Sequence, residues 1–492
     1  MNRIALAAFV FVMAVGKAGA YGPVAHEIVG GIADKLIANT PASRDLLALT
    51  DGMTLERVST IPDEIKAWDR DGPDDPNTYP SYPEHRKIDN QLREFWRANP
   101  PTHDAKSPMP SHHWFHYTDV PALNSHKYAD GKTGRSQWDI VHMIAYCVGV
   151  LRGEVAENNE RKITKSLAII LITHFAADIH EPLHVGAEYF DESGRAVDPD
   201  KGQPGLPDEG GNTIMLRLHR GTPEALAKRG LKLHGFWDGE AVLANLPGVS
   251  SFPSKEQHYR ALEKAKRGLI DQMVKTEPSS WRVAANVALA QYPEQWADDI
   301  MPIAREAHER LRFFNVRPQV DQDRTVAGGI AEEKAPNDRI VYADWAAGIV
   351  RGELHKAGWR LADLLSQALT TGSTTSRTET PPPAGTPTPS VAATPNAAVS
   401  TMPMPSPPAA TESEFGDYPA NYKEIVTTWL EANGLGNAHI DWQGEPKPAD
   451  VQIGPGQHVY GYSVIFNTAD GTAAKTRSVI IRDGKIVERS GF

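Results

Sequence analysis

Histidine and carboxylate recur at a four-residue interval in two places along this chain, and side chains of those types at that spacing can hold a metal ion. The stretch "THFAADIHEPLH", residues 173 to 184, carries His174 and Asp178, with His180 and His184 following. On a helix, residues four apart project from one face, so His174 and Asp178 can address one centre. Pro182 should already lie past the helix end, leaving His184 able to turn back toward that centre or a neighbouring one. "KLHGFWDGEAV" repeats the interval with His234 and Asp238. Neutral imidazole and carboxylate are the donors zinc takes when thiolates are absent. One such pair is more often a surface or capping pair; two, the first in an apolar run, point to metal.

More donors of the same kind are available. "STIPDEIK" supplies Asp63, "HHWFHYTD" supplies His116, and Tyr21 is followed five residues later by His26. If Tyr21 is the first residue of the processed chain, its α-amino group, which titrates near pH 8, can close a five-membered chelate ring with its own carbonyl oxygen. Processing at that point is expected. Arg3 opens a charged start, Ile4 to Gly16 is apolar or small, and Ala18-Gly19-Ala20 has the form cut by signal peptidase. The apolar stretch is too short to span a bilayer, and no other stretch is long enough. Residues 1–20 therefore read as a removed signal peptide, and the processed protein as periplasmic or secreted.

The elements that must position these donors are mainly helical. "GPVAHEIVGGIADKLIAN" places Val24, Ile28, Ile32 and Leu36 near one face, and "SQWDIVHMIAYCVGVLRG" places Ile140, Ile144, Cys147 and Leu151 at three- and four-residue steps. "TKSLAIILITHFAAD" is apolar all round, as an interior helix would be. Further helical patterns run through 256–275, 280–313 and 341–369, with no comparable alternating strands, so 21–370 reads as one largely α-helical domain. Residues 371–413, rich in Pro, Thr, Ser and Ala, cannot bury enough apolar surface to offset ordering and read as a linker. In 414–492, Tyr422, Ile425, Val426, Trp429 and Leu430 mark a helix stopped near Gly434. "HVYGYSVIFNT" and "RSVIIRDGKIVER" then alternate as strands, with a hairpin turn at Asp483-Gly484. This segment reads as a small α+β module, without a catalytic constellation and with no partner evident.

Composition limits the alternatives. The single cysteine, Cys147, cannot form an internal disulfide and reads as a packed core thiol, so stability must come from core or metal. A formal charge of −11 argues against an all-over basic surface for stable duplex DNA binding. A polyanionic substrate would need positive charge from somewhere other than side chains.

Taken in order, "YGPVAHEIV", "PDEIK", "FHYTD", "LITHFAADIHEPLHV", "EGGNTI", "LHGFWD" and "AGWRLADLL" resemble the zinc-dependent single-strand nucleases and 3′-nucleotidases of the S1/P1 type, a family related in fold to bacterial zinc phospholipase C. The resemblance covers most of 21–370. It implies three zinc ions. Asp63, His116, His174 and Asp178 would hold the first; the Tyr21 amine and carbonyl, His26 and Asp178 would hold another beside it, with Asp178 bridging; His184, His234 and Asp238 would hold a separate one. It further implies in-line attack on phosphorus by water activated between the paired ions, while the separate ion steadies the departing 3′-oxygen. Single-stranded DNA or RNA and 3′-nucleotides would be the substrates, and 5′-phosphorylated nucleotides the products. By the same resemblance Tyr117 stacks on a base, Asp119 meets the base edge and Asn212 lies near the scissile phosphate. An unpaired base stacked on an exposed ring is worth roughly 1–3 kcal/mol.

The chain departs from the family pattern at several points. Tyr21 stands where the family usually has Trp, which backbone ligation should tolerate. Lys66 stands where Arg is frequent; it keeps a charge for the transition state and loses the bidentate fork. Disulfides and glycosylation sequons of fungal and plant members are absent, as in a bacterial-type relative. Residues 69–112 and 192–209 read as elaborations of the cleft edge, with His112 and His113 as solvated loop residues. Two other readings stand beside the nuclease: phospholipase C chemistry on the same scaffold, and a zinc-stabilised envelope binding protein acting through 414–492. The short Tyr21-to-His26 spacing, and Asp238 where the phospholipases carry Glu, favour the nuclease.

Overall fold

The computed structural model describes residues 22–74, 82–101, 111–123, 127–218, 231–249, 254–284, 286–321, 324–370, 419, 422–432, 439–442, 446–454, 457–469, 474–482 and 485–490. The expected signal peptide, Tyr21, the expected linker 371–413 and the Asp483-Gly484 turn lie outside the described residues. The chain divides into two compact units, Met1–Thr380 and Pro381–Phe492.

The first unit is mainly helical and is organised around the helix Lys165–Asp178, whose residues from Ser166 to Asp178 are all buried. Thr164 caps it by accepting from the Leu167 amide at 3.2 Å, satisfying one of the amides that a helix start leaves open. With no polar face, this helix is stable only when surrounded, and Pro23–Ile37, Ile140–Arg152 and Tyr342–Thr370 are among the helices that pack against it. Each fully buried Ile or Leu contributes roughly 1.5–3 kcal/mol of apolar transfer. The surrounding residues are therefore what holds His174 and Asp178 in an interior they would otherwise avoid. Cys147 is fully buried on Ile140–Arg152, and burial pushes its thiol pKa up, which makes it the expected inert core group.

Close helix approach brings the N-terminal donor inward. Pro23 opens Pro23–Ile37 at a position where its missing N–H costs nothing. A Cβ on Gly30 would run into the Leu55 backbone, so glycine lets this helix settle directly on the turn Leu55–Val58. Asp34 secures the same contact by accepting from the Leu55 and Glu56 amides, each at 2.9 Å. His26 on this helix is consequently buried against His174, with the two rings stacked at 3.8 Å between centroids and 6° between planes.

Three expectations need correction. The helical pattern expected over 280–313 is α-helical only over Tyr292–Glu309, preceded by a 3-10 turn at Leu289–Gln291. It gives way to an antiparallel hairpin of Leu311–Asp321 and Arg324–Glu333, and Ile214–Arg217 pairs with the second strand in parallel. Strand structure therefore does occur before the linker, although helix dominates. The stretch 69–112 is not only an edge elaboration: its helix Arg86–Ala98 buries Ile88, Leu92 and Phe95 in the main core.

The second unit is the expected small α+β module. Its helix Tyr422–Ala432 packs Val426 and Leu430 with Val464, Phe466, Val479 and Ile481 of an antiparallel sheet. The long strand Gln457–Ala469 pairs with Lys447–Gly454, His439–Trp442 and Ala474–Arg482, and Lys485–Ser490 completes the order beyond the last of these. Among the described residues, no helix is long and apolar enough to cross a membrane.

Candidate metal centre

Five of the expected donors converge at the C-terminal end of Lys165–Asp178. His174 Nε2 lies 3.1 Å from Asp178 Oδ2 and 3.7 Å from Asp63 Oδ1. His116 Nδ1 lies 3.1 Å from Asp178 Oδ2, 3.9 Å from Asp63 Oδ1 and 2.9 Å from His174 Nε2. On the other side of the carboxylate, His26 Nε2 is 3.3 Å from Asp178 Oδ1. Asp178 thus faces two donor groups at once, one with His26 and one with His116 and Asp63, and His174 borders both. Donors about 2.0–2.2 Å from a tetrahedral zinc stand roughly 3.3 Å apart, which these separations resemble.

Local structure aims each donor. Asp63 sits on the short helix Ile61–Glu64, which Glu64 fastens through Arg57 at 2.8 and 3.0 Å and the Tyr82 hydroxyl at 2.7 Å. His174 Nδ1 donates to the Ser59 carbonyl at 2.6 Å, which leaves the Nε2 lone pair facing the cluster. Burial lowers the pKa of His26 and, further, of His116, where the Lys66 cation adds to the effect, so both rings are held in the neutral form that binds metal. Burial raises Asp178, but the charges of His174 and His184 and the hydrogen bond to His116 outweigh it and keep the carboxyl well below its usual range. Burial likewise raises Asp63, and the charges of Lys66 and His174 outweigh it. Lys66 Nζ is 2.6 Å from Asp63 Oδ1, which places its cation at the edge of the cluster.

A second group lies next to the first. His184 Nδ1 donates to the His116 carbonyl at 2.9 Å, so one loop orients donors of both groups. The backbone repeats this tie: Thr118 N donates to His184 O at 2.8 Å, and Val120–Pro121 pairs in parallel with Gly186–Ala187. His234 Nδ1 donates to the Gly210 carbonyl at 2.9 Å, and its Nε2 is 3.2 Å from Asp238 Oδ2. Gly210 has positive φ and would drive a Cβ into the Leu183 carbonyl, so the turn that orients His234 requires glycine. His234 and Asp238 straddle the start of a π-helical turn, Phe236–Glu240, anchored by the buried Trp237 through its indole bond to the Tyr342 hydroxyl at 3.0 Å. His184 Nε2 and Asp238 Oδ1 are 3.8 Å apart, too far to hydrogen-bond, and both are buried without such a partner. Buried polar atoms left in that condition are costly, and a cation between them would satisfy both. The donor set therefore fits zinc.

Tyr21 lies outside the described residues, but the next residue is fixed: Gly22 N donates to the Asp238 carbonyl at 3.0 Å. Tyr117 and Asp119 follow His116 in extended backbone and are partly exposed. Burial and the charge of Glu209 raise the Asp119 carboxyl to about 7, against the pull of Arg324. Asn212 closes the turn that carries Gly210, and its buried Oδ1 has no hydrogen-bond donor among the described residues.

Sequence reasoning missed several residues here. Arg324, from the unexpected hairpin, pairs with Glu209 at 2.5 Å, and its charge acts on Tyr117 and Asp119, so it borders the expected base-binding residues. Only the long-range fold brings it there. Glu181 is fully buried beside His184, and its neighbour Pro182 gave a reason to expect merely a turn. His112 is a correction, because it is buried rather than solvated; its Nε2 lies 3.1 Å from Asp69, and the half-exposed His113 contacts the other oxygen of that carboxylate. His180, the remaining histidine of the opening motif, points elsewhere, bonding to the Ala176 carbonyl at 2.7 Å and Arg360 at 3.0 Å.

The comparisons agree with this architecture. The S1/P1 Nuclease family model matches residues 21–370, and the chain belongs to that family. Among curated proteins, it is similar to Endonuclease 1 of Arabidopsis thaliana, with 26% identity over 185 residues, covering 35% of this chain and 49% of the relative. It is also similar to Endonuclease 4 of the same plant, with 29% identity over 143 residues, covering 27% and 39%. The chain thus spans about half the length, or less, of the curated relatives it matches.

Proposed function

We propose that this protein is an exported, zinc-dependent endonuclease that hydrolyses single-stranded DNA and RNA to 5′-phosphorylated products and removes the phosphate of 3′-nucleotides. The observation that carries the reading is the convergence of His26, Asp63, His116, His174 and Asp178 on one buried cluster, with His184, His234 and Asp238 beside it. In this reading three zinc ions occupy these groups, and the Tyr21 amine and carbonyl complete the set after cleavage behind Ala20. Nuclease domain, linker and module then correspond to 21–370, 371–413 and 414–492, and the protein resides in the periplasm or outside the cell.

Bound zinc ions supply Lewis acidity and lower the pKa of water, which is the chemistry phosphodiester hydrolysis needs at neutral pH. The protein's own groups do the rest. Asp178 and Asp63 compensate the cationic charge, His116 and His26 are held neutral by burial, and His174, where burial is outweighed by Asp178 and Asp63, yields its proton when an ion binds. Lys66 presents its ammonium at the cluster edge, where negative charge grows on phosphate oxygens in the transition state. Tyr117 offers a ring to an unpaired base, Asp119 accepts from or donates to its edge, and Asn212 Oδ1 is available to a group near the phosphate. A base within a duplex is already stacked and paired, so the same ring gains little from double-stranded DNA.

The test is hydrolysis by the purified protein of a single-stranded oligonucleotide, its duplex, a 3′-nucleotide and a phosphatidylcholine emulsion, each with and without chelator. Chelator-sensitive release of 5′-phosphorylated products from the single strand and of phosphate from the 3′-nucleotide is expected. Lipid turnover without nucleotide release would replace this reading with the phospholipase one.

A further inference from the structure

The separate donor group contains a carboxylate that the His184, His234 and Asp238 set does not use. Glu181 is fully buried, and neither of its side-chain oxygens has a hydrogen-bond partner of ordinary geometry among the described residues. Burial raises its carboxyl well above the usual range, with His184 pulling the other way and Asp238 adding to the rise. Its Oε2 lies 4.0 Å from His184 Nε2, the atom that itself lacks a partner. Glu181, His184 and His234 each offer one donor atom, all within 4.8 Å of one another. The cluster of Asp69, His112 and His113 has the same residue types but makes no such demand. There the carboxylate already receives both histidines and the Trp96 indole at 2.8 Å.

We propose that Glu181 is a fourth protein donor to the separate metal, closing a set with His184, His234 and Asp238; this rests on the metal-dependent reading given above. A buried carboxylate without a counter-charge costs several kcal/mol, and neighbouring Asp238 makes that cost larger. A divalent cation within bonding distance of both carboxylates removes the cost. Its position favours this role, because Glu181 immediately precedes the 3-10 turn Pro182–His184, so proline-fixed backbone sets carboxylate and imidazole three residues apart on one side. Two imidazoles and two carboxylates would enclose the ion as closed structural zinc sites do. The separate ion should then be the one released last to a chelator. Access of a substrate oxygen to it requires either a fifth coordination position or displacement of one carboxylate.

The test is stepwise chelator competition on the zinc-loaded full chain, wild type against Glu181→Gln, with zinc counted by elemental analysis and the visible spectrum recorded on cobalt-substituted protein. Glutamine keeps size and shape while losing the anionic donor. The proposal expects one ion of the three to be lost at chelator concentrations at least ~10-fold lower, the range by which even outer groups change metal affinity. It also expects a changed cobalt spectrum, because a ligand has left. Thermal unfolding in excess chelator checks folding: the metal-free variant should melt with metal-free wild type, since glutamine fills the same volume. Unchanged zinc stoichiometry, release profile and cobalt spectrum would overturn the role of Glu181 while leaving the metal-dependent function intact. A wild-type chain that binds no zinc would overturn both.

Discussion

His174 Nε2 and His116 Nδ1 stand 2.9 Å apart in the interior, with Asp178 Oδ2 3.1 Å from each. Two ring nitrogens at that distance cannot both carry a proton without strong repulsion, so the pair either shares one proton or gives it up to a cation. Zinc takes only the deprotonated nitrogens. The second group adds a group still protonated at neutral pH: burial lowers His184, but the charge of Asp178 and the nearby Asp238 and Glu181 outweigh it and push its pKa to about 10. Zinc binding at pH 7 should therefore expel protons, and affinity should rise with pH toward 10. Calorimetric titration in buffers of different ionisation enthalpy reads the proton number directly; a value of zero at pH 7 would contradict the proton placement.

Because Asp178 faces both the His26 side and the His116 side of its cluster, replacing it should empty two positions at once. Asp178→Asn is expected to retain about one zinc of three and to lose nearly all hydrolysis. Elemental analysis of the purified variant checks it, and loss of a single ion would show that Asp178 does not bridge.

Tyr117 follows His116 and is partly exposed, with the Arg324 charge nearby. Tyr117→Ala should leave zinc content intact and weaken the binding of single-stranded substrate by about 1–3 kcal/mol, the worth of one stacked base. Steady-state kinetics should show this mainly as a raised KM. An unchanged KM would make Tyr117 a packing residue.

Much of this arrangement could be read from the sequence because helical periodicity is local. The spacing of His174 and Asp178, and the all-apolar helix around them, follow from neighbours within one turn. What escaped depends on distance or on broken periodicity. The hairpin from Leu311 was not legible because its strand carries a bulge between Phe314 and Arg317, with Asn315 at positive φ, and its exposure does not alternate. Arg324 reaches Glu209 across 115 residues, a contact no local pattern announces. His112 looked solvated because the stretch around it is polar; the carboxylate that makes its burial tolerable, Asp69, lies 43 residues earlier.

A metal-independent prediction concerns the buried pair His308 and Asp208, 3.2 Å apart. Burial lowers the pKa of His308, but its hydrogen bond to Asp208 and the charges of Asp208 and Glu188 outweigh this and raise it to about 9. A raised histidine contributes stability that is fully present below the unfolded value of about 6.5 and disappears as pH climbs through 9. His308→Gln should therefore cost about 3–5 kcal/mol near pH 6, with most of the difference gone by pH 10. Denaturant unfolding at both pH values, with chelator present in each, measures it; an equal penalty at the two would show that packing, not charge, holds this site.

The account depends above all on the two donor groups being metal sites, and zinc-edge anomalous diffraction from crystals of the processed protein addresses that directly. Two peaks are predicted flanking Asp178, one toward His26 and one toward His116 and Asp63, with a third among His184, His234 and Asp238. Absence of density at these positions, or zinc found only at Asp69, His112 and His113, would contradict it.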